Sequence, residues 1–432
     1  MSSPLSWNDD QIKAFKELHH NFEQVKISIT KLLGQKGPLT GSERELDRLL
    51  SEINSIRVKY IQFSADPLLR IFVPKRVRLT TEFVSKTLRQ LKDYERAMKE
   101  EIELLDWLEK ESQKMTGVKD ALSLSYWAVL MVETGQVFRF KDRGKQEGYL
   151  RSTVNALEPV VASGRSDSTI PNLPADVVRG ITLYVLSDAY ADLGLVRYLQ
   201  KDRTGALEMY KRVIPLSVEF VRLRESSPIL KKLWDIMIEY GLPPDSRALI
   251  GMKECEAIDA GENEDYDLVV MSLISAITRH DEKHVADLLW RGADPNTLIT
   301  VDKNVLMLAV DSGSSDLVKL LLDKGANPHL KVPMNYDAVE YARLRNRHDM
   351  ANLMERYSVS KGVAQSPGVA IQTEPSLGMQ VICPNCGTAL QYSRFCPKCG
   401  TLLDDYKPCP SCRHLVPKAS RFCGFCGKPL PP

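Results

Sequence analysis

The residues with the most specific chemistry in this chain are cysteines. Eight of the nine lie between Cys383 and Pro432 as four C-x-x-C pairs: Cys383/Cys386, Cys396/Cys399, Cys409/Cys412 and Cys423/Cys426. A C-x-x-C turn aims two sulfurs at one point, so two such turns close a tetrahedral thiolate shell of the kind zinc takes. Glycine follows the second cysteine in three of the turns (Gly387, Gly400, Gly427) and lets the backbone curl past a metal; Arg413 stands there in the third. Ser393-Arg394-Phe395-Cys396 returns as Ser420-Arg421-Phe422-Cys423, so the stretch holds two copies of one module. Nine residues separate Cys386 from Cys396 and ten separate Cys412 from Cys423, each a fit for a short hairpin that joins neighbouring turns. The spacing favours one site from Cys383, Cys386, Cys396 and Cys399 and a second from Cys409, Cys412, Cys423 and Cys426. An interleaved pairing, first turn with third and second with fourth, needs a longer path. Eight sulfurs for two ions leave no open coordination position, so both zinc ions are expected to be structural. They would contribute roughly 10–16 kcal/mol each to modules too small for an apolar core. Iron takes the same donors. Disulfides would need an oxidising compartment, and redox C-x-x-C motifs come singly beside a βαβ pattern.

On these residues the tail resembles the double zinc ribbon, in which two short knuckle pairs follow one another. The resemblance covers about an eighth of the chain and implies small β-hairpin modules.

The remainder must position that tail. The chain has 432 residues, 43% hydrophobic and 26% charged, enough for two to four domains, and a formal net charge of +2 that points to no acidic or basic partner. No apolar run reaches the length of a membrane span, and the first ten residues lack the basic-then-apolar pattern of a secretory signal. With the thiol chemistry, this predicts a reducing, cytoplasmic setting and no membrane partner.

The expected fold class is mainly α. Residues 1–116 read as a helical bundle or coiled-coil-like hairpin. Asn8 with Gln11 and Ser42 with Glu45 are capping boxes. Apolar residues recur by threes and fours at Phe15, Leu18, Phe22, Val25, Ile29 and Leu32, then at Leu46, Leu49, Ile53, Ile56 and Tyr60. A third, longer helix is expected over 74–115, with Val84, Leu88, Leu91, Met98, Ile102 and Leu105 on one stripe. No helix sustains heptads, so a self-packed bundle is favoured over a dimerisation arm. Residues 117–261 read as an all-helical, repeat-like domain. Leu122–Phe140 is apolar all round and should be buried, 162–173 is a loop, and helices follow at 174–200, 204–224, 228–240 and 244–260. Tyr190, Leu193, Gly194, Ala206 and Tyr210 give this region a partial resemblance to a tetratricopeptide unit, although Val213 occupies a small-residue position. Cys255 reads as a small core residue.

Residues 262–357 repeat. Gly292-Ala293-Asp294-Pro295-Asn296 recurs 33 residues on as Gly325-Ala326-Asn327-Pro328-His329, and Ala276, Ala309 and Ala342 share that period. A 33-residue period with small residues in one helix and a Leu-Leu pair in the next resembles the ankyrin repeat, here about three of them. Where that motif has Thr-Pro-Leu-His this chain has Asn304-Val305-Leu306-Met307, which predicts the loss of a turn-stabilising hydrogen bond. Residues 358–380, rich in Ser, Gly, Pro, Val and Gln, read as a flexible linker to the zinc modules at 381–432.

Catalytic motifs for phosphate, dinucleotide or acyl chemistry are missing from the sequence. His280 and His284 stand four apart, but Asp281 occupies the glutamate position of a zinc-protease helix and the segment falls at an inter-helix turn. His19-His20 reads as a surface pair, and His414 as a spare ligand that four sulfurs make unnecessary. From Ser376 onward Arg394, Lys398, Lys407, Arg413, Lys418, Arg421 and Lys428 oppose Asp404 and Asp405, leaving +5; two four-thiolate zinc ions reduce that to +1. Such a charge is a poor footprint for phosphate, and Phe395 and Phe422 suit packing under a metal site. The expected function is therefore a non-enzymatic adaptor or scaffold that binds protein partners through ankyrin repeats and structural zinc modules, with nucleic-acid binding as the alternative. Ankyrin resemblance implies contacts by loop fingers, here 297–303 and 330–336. Leu298, Ile299, Val301, Val332, Pro333, Met334 and Tyr336 are apolar for such loops. They form either the partner patch or a surface packed on the chain's own helices.

Overall fold

A computed structural model describes residues 9–34, 43–168, 170, 173–237, 242–257 and 266–360, and in the tail 380–382, 389–391, 406–408 and 415–417. The capping residues Asn8 and Ser42, the linker from 361 to 379 and all eight tail cysteines lie outside these residues. Sixteen α-helices and three two-stranded antiparallel hairpins make up the described chain, so the fold is mainly α. No described helix is long and apolar enough to cross a membrane. Contacts divide the chain into two compact units, Met1–Val196 with Leu223–Gly241, and Arg197–Arg222 with Leu242–Pro432. The boundary expected at 116/117 falls inside the first.

In the first unit α1 (Asp9–Leu33) and α2 (Glu43–Gln62) bury the two stripes read from their periodicity. Phe15 meets Tyr60 edge-on at 5.2 Å. His19 is half-buried on α1 rather than at the surface. Burial, with the Arg76 guanidinium nearby, pushes its pKa down to about 4.

The single helix expected over 74–115 is two, α3 (Val73–Gln90) and α4 (Tyr94–Lys114). Lys92 takes a left-handed φ of 64°, and Asp93 restarts the helix by accepting from the Arg96 amide at 3.2 Å. The break resets the helical phase. Val84 and Leu88 stay in the core, but α4 buries Ala97, Leu104 and Leu108 while Met98 and Ile102 face solvent.

Helix α5 (Ala121–Phe138) is apolar nearly all round and buried, although Phe140 just beyond it is 80% exposed. Against α5 packs α6 (Arg143–Ala162), which periodicity did not reveal. Gly135 allows the approach, since a Cβ there would meet the Gln146 carbonyl and Tyr149 Cβ at 3.3 Å each. Helices α7 (Ala175–Leu199) and α9 (Pro228–Met237) add to this unit, and α8 (Arg203–Ser226) lies mostly in the second.

The first unit holds a buried ion pair. Arg78 and Glu133 are both buried and joined by a hydrogen bond, with Glu82 a second partner of Arg78 at 2.6 Å. Burial pushes the Glu133 carboxyl up despite Arg78, and raises the cost of leaving either group alone. Glu133→Ala is expected to cost about 3–5 kcal/mol in urea unfolding, because Arg78 would lose its buried partner, whereas Arg78→Met with Glu133→Leu should cost far less.

Candidate functional site

Two places in the second unit can carry function: the ankyrin helices with their fingers, and the cysteine tail. The first is built from three helix pairs, α11 (Tyr266–Thr278) with α12 (Glu282–Trp290), α13 (Val305–Ser312) with α14 (Ser315–Asp323), and α15 (Ala338–Leu344) with α16 (His348–Ser360). The period-33 alanines Ala276, Ala309 and Ala342 are fully buried, where they let neighbouring helices approach. Gly292 and Gly325 follow the outer helices at φ 101° and 98°, a region open to glycine. Successive turns are tied together: the Asn327 amide donates to Asn296 Oδ1 at 2.7 Å, and Asn296 Nδ2 donates to the Gly325 carbonyl at 3.2 Å. One continuous core runs from Leu273 to Met354.

The turn-stabilising hydrogen bond expected to be lost is present by another route. Asn304 caps α13 by accepting from the Met307 amide at 2.9 Å, and Asp337 with Glu340 forms a full capping box on α15. His280 and His284 do not share a helix face. His280 ends α11 at φ 57°, and Asp281 caps α12 through the His284 amide. Helix α16 runs on to Ser360, so the first residues assigned to the linker are helical.

The first finger is a hairpin, β1 (Leu298–Thr300) with β2 (Lys303–Asn304). It packs on α10 (Pro244–Ala257), whose first turn holds it. The Val301 amide donates to the Asp245 carboxylate at 2.8 Å, and the Ser246 hydroxyl donates to the Ile299 carbonyl. The second finger follows the first, with the Met334 amide bonded to the Val301 carbonyl at 3.1 Å and the Tyr336 hydroxyl to the Asp302 carbonyl at 2.7 Å. Val301 and Val332 are therefore buried, at 0% and 3% exposure, and are withdrawn from the partner patch. Leu298, Ile299, Met334 and Tyr336 pack half-buried against the core and keep only an outer edge.

Beside the fingers stands a polar cluster that the sequence did not reveal. Asp311 accepts from Lys303 Nζ at 2.6 Å and from the Tyr341 hydroxyl at 2.8 Å, and Arg345 Nε donates to the same hydroxyl at 3.1 Å. Burial and Asp311 both push the Tyr341 phenol well above its ordinary range. The signal available in sequence was only that Asp311, Tyr341 and Arg345 sit on successive inner helices or just past them.

In the tail, β3 (Gln380–Ile382) pairs with β4 (Ala389–Gln391), and β5 (Tyr406–Pro408) with β6 (Leu415–Pro417). The hairpins enclose the first and third C-x-x-C turns rather than spanning the gaps between turns. Ile382 pairs with Ala389 across the loop carrying Cys383 and Cys386, and Pro408 pairs with Leu415 across the loop carrying Cys409 and Cys412. Leu415 and Val416 are buried. Each of these C-x-x-C pairs stands in sequence between two paired strands, and its donor set suits zinc. Among the described residues, no group of His, Cys, Asp or Glu is placed to hold a metal ion.

The double zinc ribbon family matches residues 380–430 and the ankyrin repeat family matches 302–332. A putative ankyrin repeat-containing protein of Treponema pallidum (strain Nichols) is 39% identical over 67 residues, 16% of this chain and 22% of that protein. A putative ankyrin repeat protein of Acanthamoeba polyphaga mimivirus is 31% identical over 91 residues, 21% of this chain and 56% of that one. The chain thus spans well short of the full length of either relative. A solved circular tandem repeat protein aligns over 81% of this chain and 91% of its own at 13% identity and a TM-score of 0.19, which bears on neither arrangement nor function. This chain carries an ankyrin-repeat segment and a double zinc ribbon.

Two measurements follow from the finger geometry. Met334→Ala and Tyr336→Ala should each lower stability by about 1–3 kcal/mol with no partner present, since both side chains pack on the repeat core. Burial, helped by the neighbouring Asp302, raises the Asp245 pKa to about 6 from an ordinary 3.8, while the Val301 amide opposes the shift. A raised acid pKa means that stability from this group is full below about 4 and is lost as pH climbs through 6. Asp245→Asn keeps the Val301 acceptor without the charge. It should exceed the parent in stability at pH 7.5 by at most about 3 kcal/mol, with the gap closing toward pH 4 in urea midpoints.

Proposed function

We propose that this chain is a non-enzymatic adaptor, with the ankyrin repeats as its protein-binding module and two structural zinc ions in its tail. The observation that carries the reading is the joint presence of an ankyrin-repeat segment and a double zinc ribbon on one chain. Ankyrin repeats suit protein–protein contact because stacked pairs leave one row of inner helices and fingers open to a partner. The partner surface in this reading combines the outer edges of Leu298, Ile299, Met334 and Tyr336 with the exposed inner-helix residue Leu344.

In the tail, Cys383, Cys386, Cys396 and Cys399 would hold one zinc and Cys409, Cys412, Cys423 and Cys426 the other. Bound zinc supplies a four-thiolate cross-link and no reactive position. The chain's own share is the pair of hairpins, whose strands flank the first and third C-x-x-C pairs in sequence.

Native mass spectrometry tests the metal half of the reading. The parent should carry two zinc ions, and Cys383→Ser one. The double variant Cys383→Ser with Cys396→Ser separates the pairings, since sequential sites lose one zinc and interleaved sites lose both. Affinity capture from the source cells, with the full chain and with a chain ending after Ser360, then assigns partners to the tail or to the helices. Turnover of any small molecule by the purified chain would overturn the adaptor reading.

A further inference from the structure

The first unit carries a feature that neither the repeats nor the cysteines account for. A cavity of about 330 Å³ opens between α3, α4 and the end of α5. Its apolar wall is made by Leu104, Val137 and Phe140. Its volume lies at the lower end of ligand-pocket size, enough for one or two bulky side chains.

The rim is cationic. Glu101 accepts from Ser85 Oγ at 2.7 Å, Arg89 at 2.8 Å and Lys141 Nζ at 2.6 Å, so two cations share one carboxylate. Lys86 also lines the cavity, is exposed, and makes no ion pair among the described residues. Arg139 stacks on the Phe140 ring at 4.4 Å and reaches Glu82 at 3.8 Å. Three cations, Lys86, Arg89 and Lys141, thus line the cavity against two carboxylates, Glu82 and Glu101, and Glu82 is also met by Arg78 at 2.6 Å.

Apolar surface is also left uncovered here. Phe140 at the mouth is 80% exposed, so most of its ring is left uncovered. Helix α4, which supplies Glu101 and Leu104 to the wall, exposes Tyr94, Met98 and Ile102 at four-residue steps along one side. That row is the face freed when the break at Lys92 reset the helix.

We propose that this cavity is a docking site for an acidic peptide, with one large apolar side chain entering between Leu104, Val137 and Phe140 while flanking carboxylates meet Lys86, Arg89 and Lys141. The apolar wall of Leu104, Val137 and Phe140 favours an inserted side chain over a phosphate backbone, whose contacts are made chiefly with cations. Tyr94, Met98 and Ile102 do not line the cavity, but on the same helix they offer further exposed apolar surface to an extended ligand.

Panning of a displayed random dodecapeptide library on the full chain tests this, with prior subtraction on the double variant Phe140→Ala with Lys86→Glu. Both residues are exposed, so thermal midpoints of parent and variant should agree. Surviving peptides are expected to place Asp or Glu around a single Phe, Leu or Trp. In fluorescence polarisation each single variant should weaken them at least about ten-fold, and binding should fall with added salt. The proposal is overturned if no peptide survives subtraction, if survivors lack acidic residues, or if neither single variant weakens them. It is also overturned if a single-stranded RNA dodecamer binds the parent more tightly than the best peptide and loses affinity in the double variant, which would give the rim to nucleic acid.

Discussion

The hydrogen bond from the Val301 amide to the Asp245 carboxylate ties the first ankyrin finger to the helix that precedes the repeats. Three helix pairs have little interior for their surface, and the faces of a short stack must be closed by something other than another repeat. At the finger side α10 does this. Val301 is fully buried, so its amide needs an acceptor, and an amide left bare there would cost about 1–3 kcal/mol. Asp245 provides one, but its own carboxylate is buried beside Asp302, which is why its pKa climbs. The joint therefore exchanges an unsatisfied amide for a poorly solvated carboxylate. The Ser246 hydroxyl on the Ile299 carbonyl and the Tyr336 hydroxyl on the Asp302 carbonyl spread the load over three contacts.

That joint also explains which parts of the molecule could be read from sequence. The stripes of α1 and α2 and the 33-residue period needed no tertiary knowledge, because each is a local pattern repeated at fixed spacing. The fate of the apolar fingers was different. Whether Val301 faces a partner or its own chain depends on a carboxylate 56 positions earlier, and no local periodicity carries that. The α3/α4 break was equally hidden. The apolar rhythm runs on through Leu91 and Met98, while the interruption rests on Lys92 in left-handed backbone and the Asp93 cap. An aspartate three residues ahead of Arg96 is a readable capping signal, but the hydrophobic stripe runs across it. Helix α6 begins in the same way, with Asp142 accepting from the Lys145 amide.

The tail shows the opposite balance. Its donor set and the duplication of its modules are explicit in residue types and spacing. The strands are less obvious: Gln380–Ile382 and Tyr406–Pro408 directly precede the first and third C-x-x-C pairs, and pair with Ala389–Gln391 and Leu415–Pro417 that follow them. Strands of three residues are too short for alternation to be diagnostic, and only their pairing identifies them.

Groups with strongly shifted ionisation often mark active sites, and this molecule has several. Three of them, Asp245, Tyr341 and Glu133, have a structural cause. Asp245 anchors a hairpin amide. Tyr341 is locked by Asp311 and Arg345 beside the fingers, and neither it nor Asp245 lines the cavity of the first unit. Glu133 is held by the buried Arg78. A catalytic acid or base needs a pKa near working pH together with a route for substrate to reach it. Asp245, Tyr341 and Glu133 join helices to one another and fingers to helices, while the cavity of the first unit is lined by two cations braced on Glu101, by Lys86, which makes no ion pair among the described residues, and by an uncovered phenylalanine.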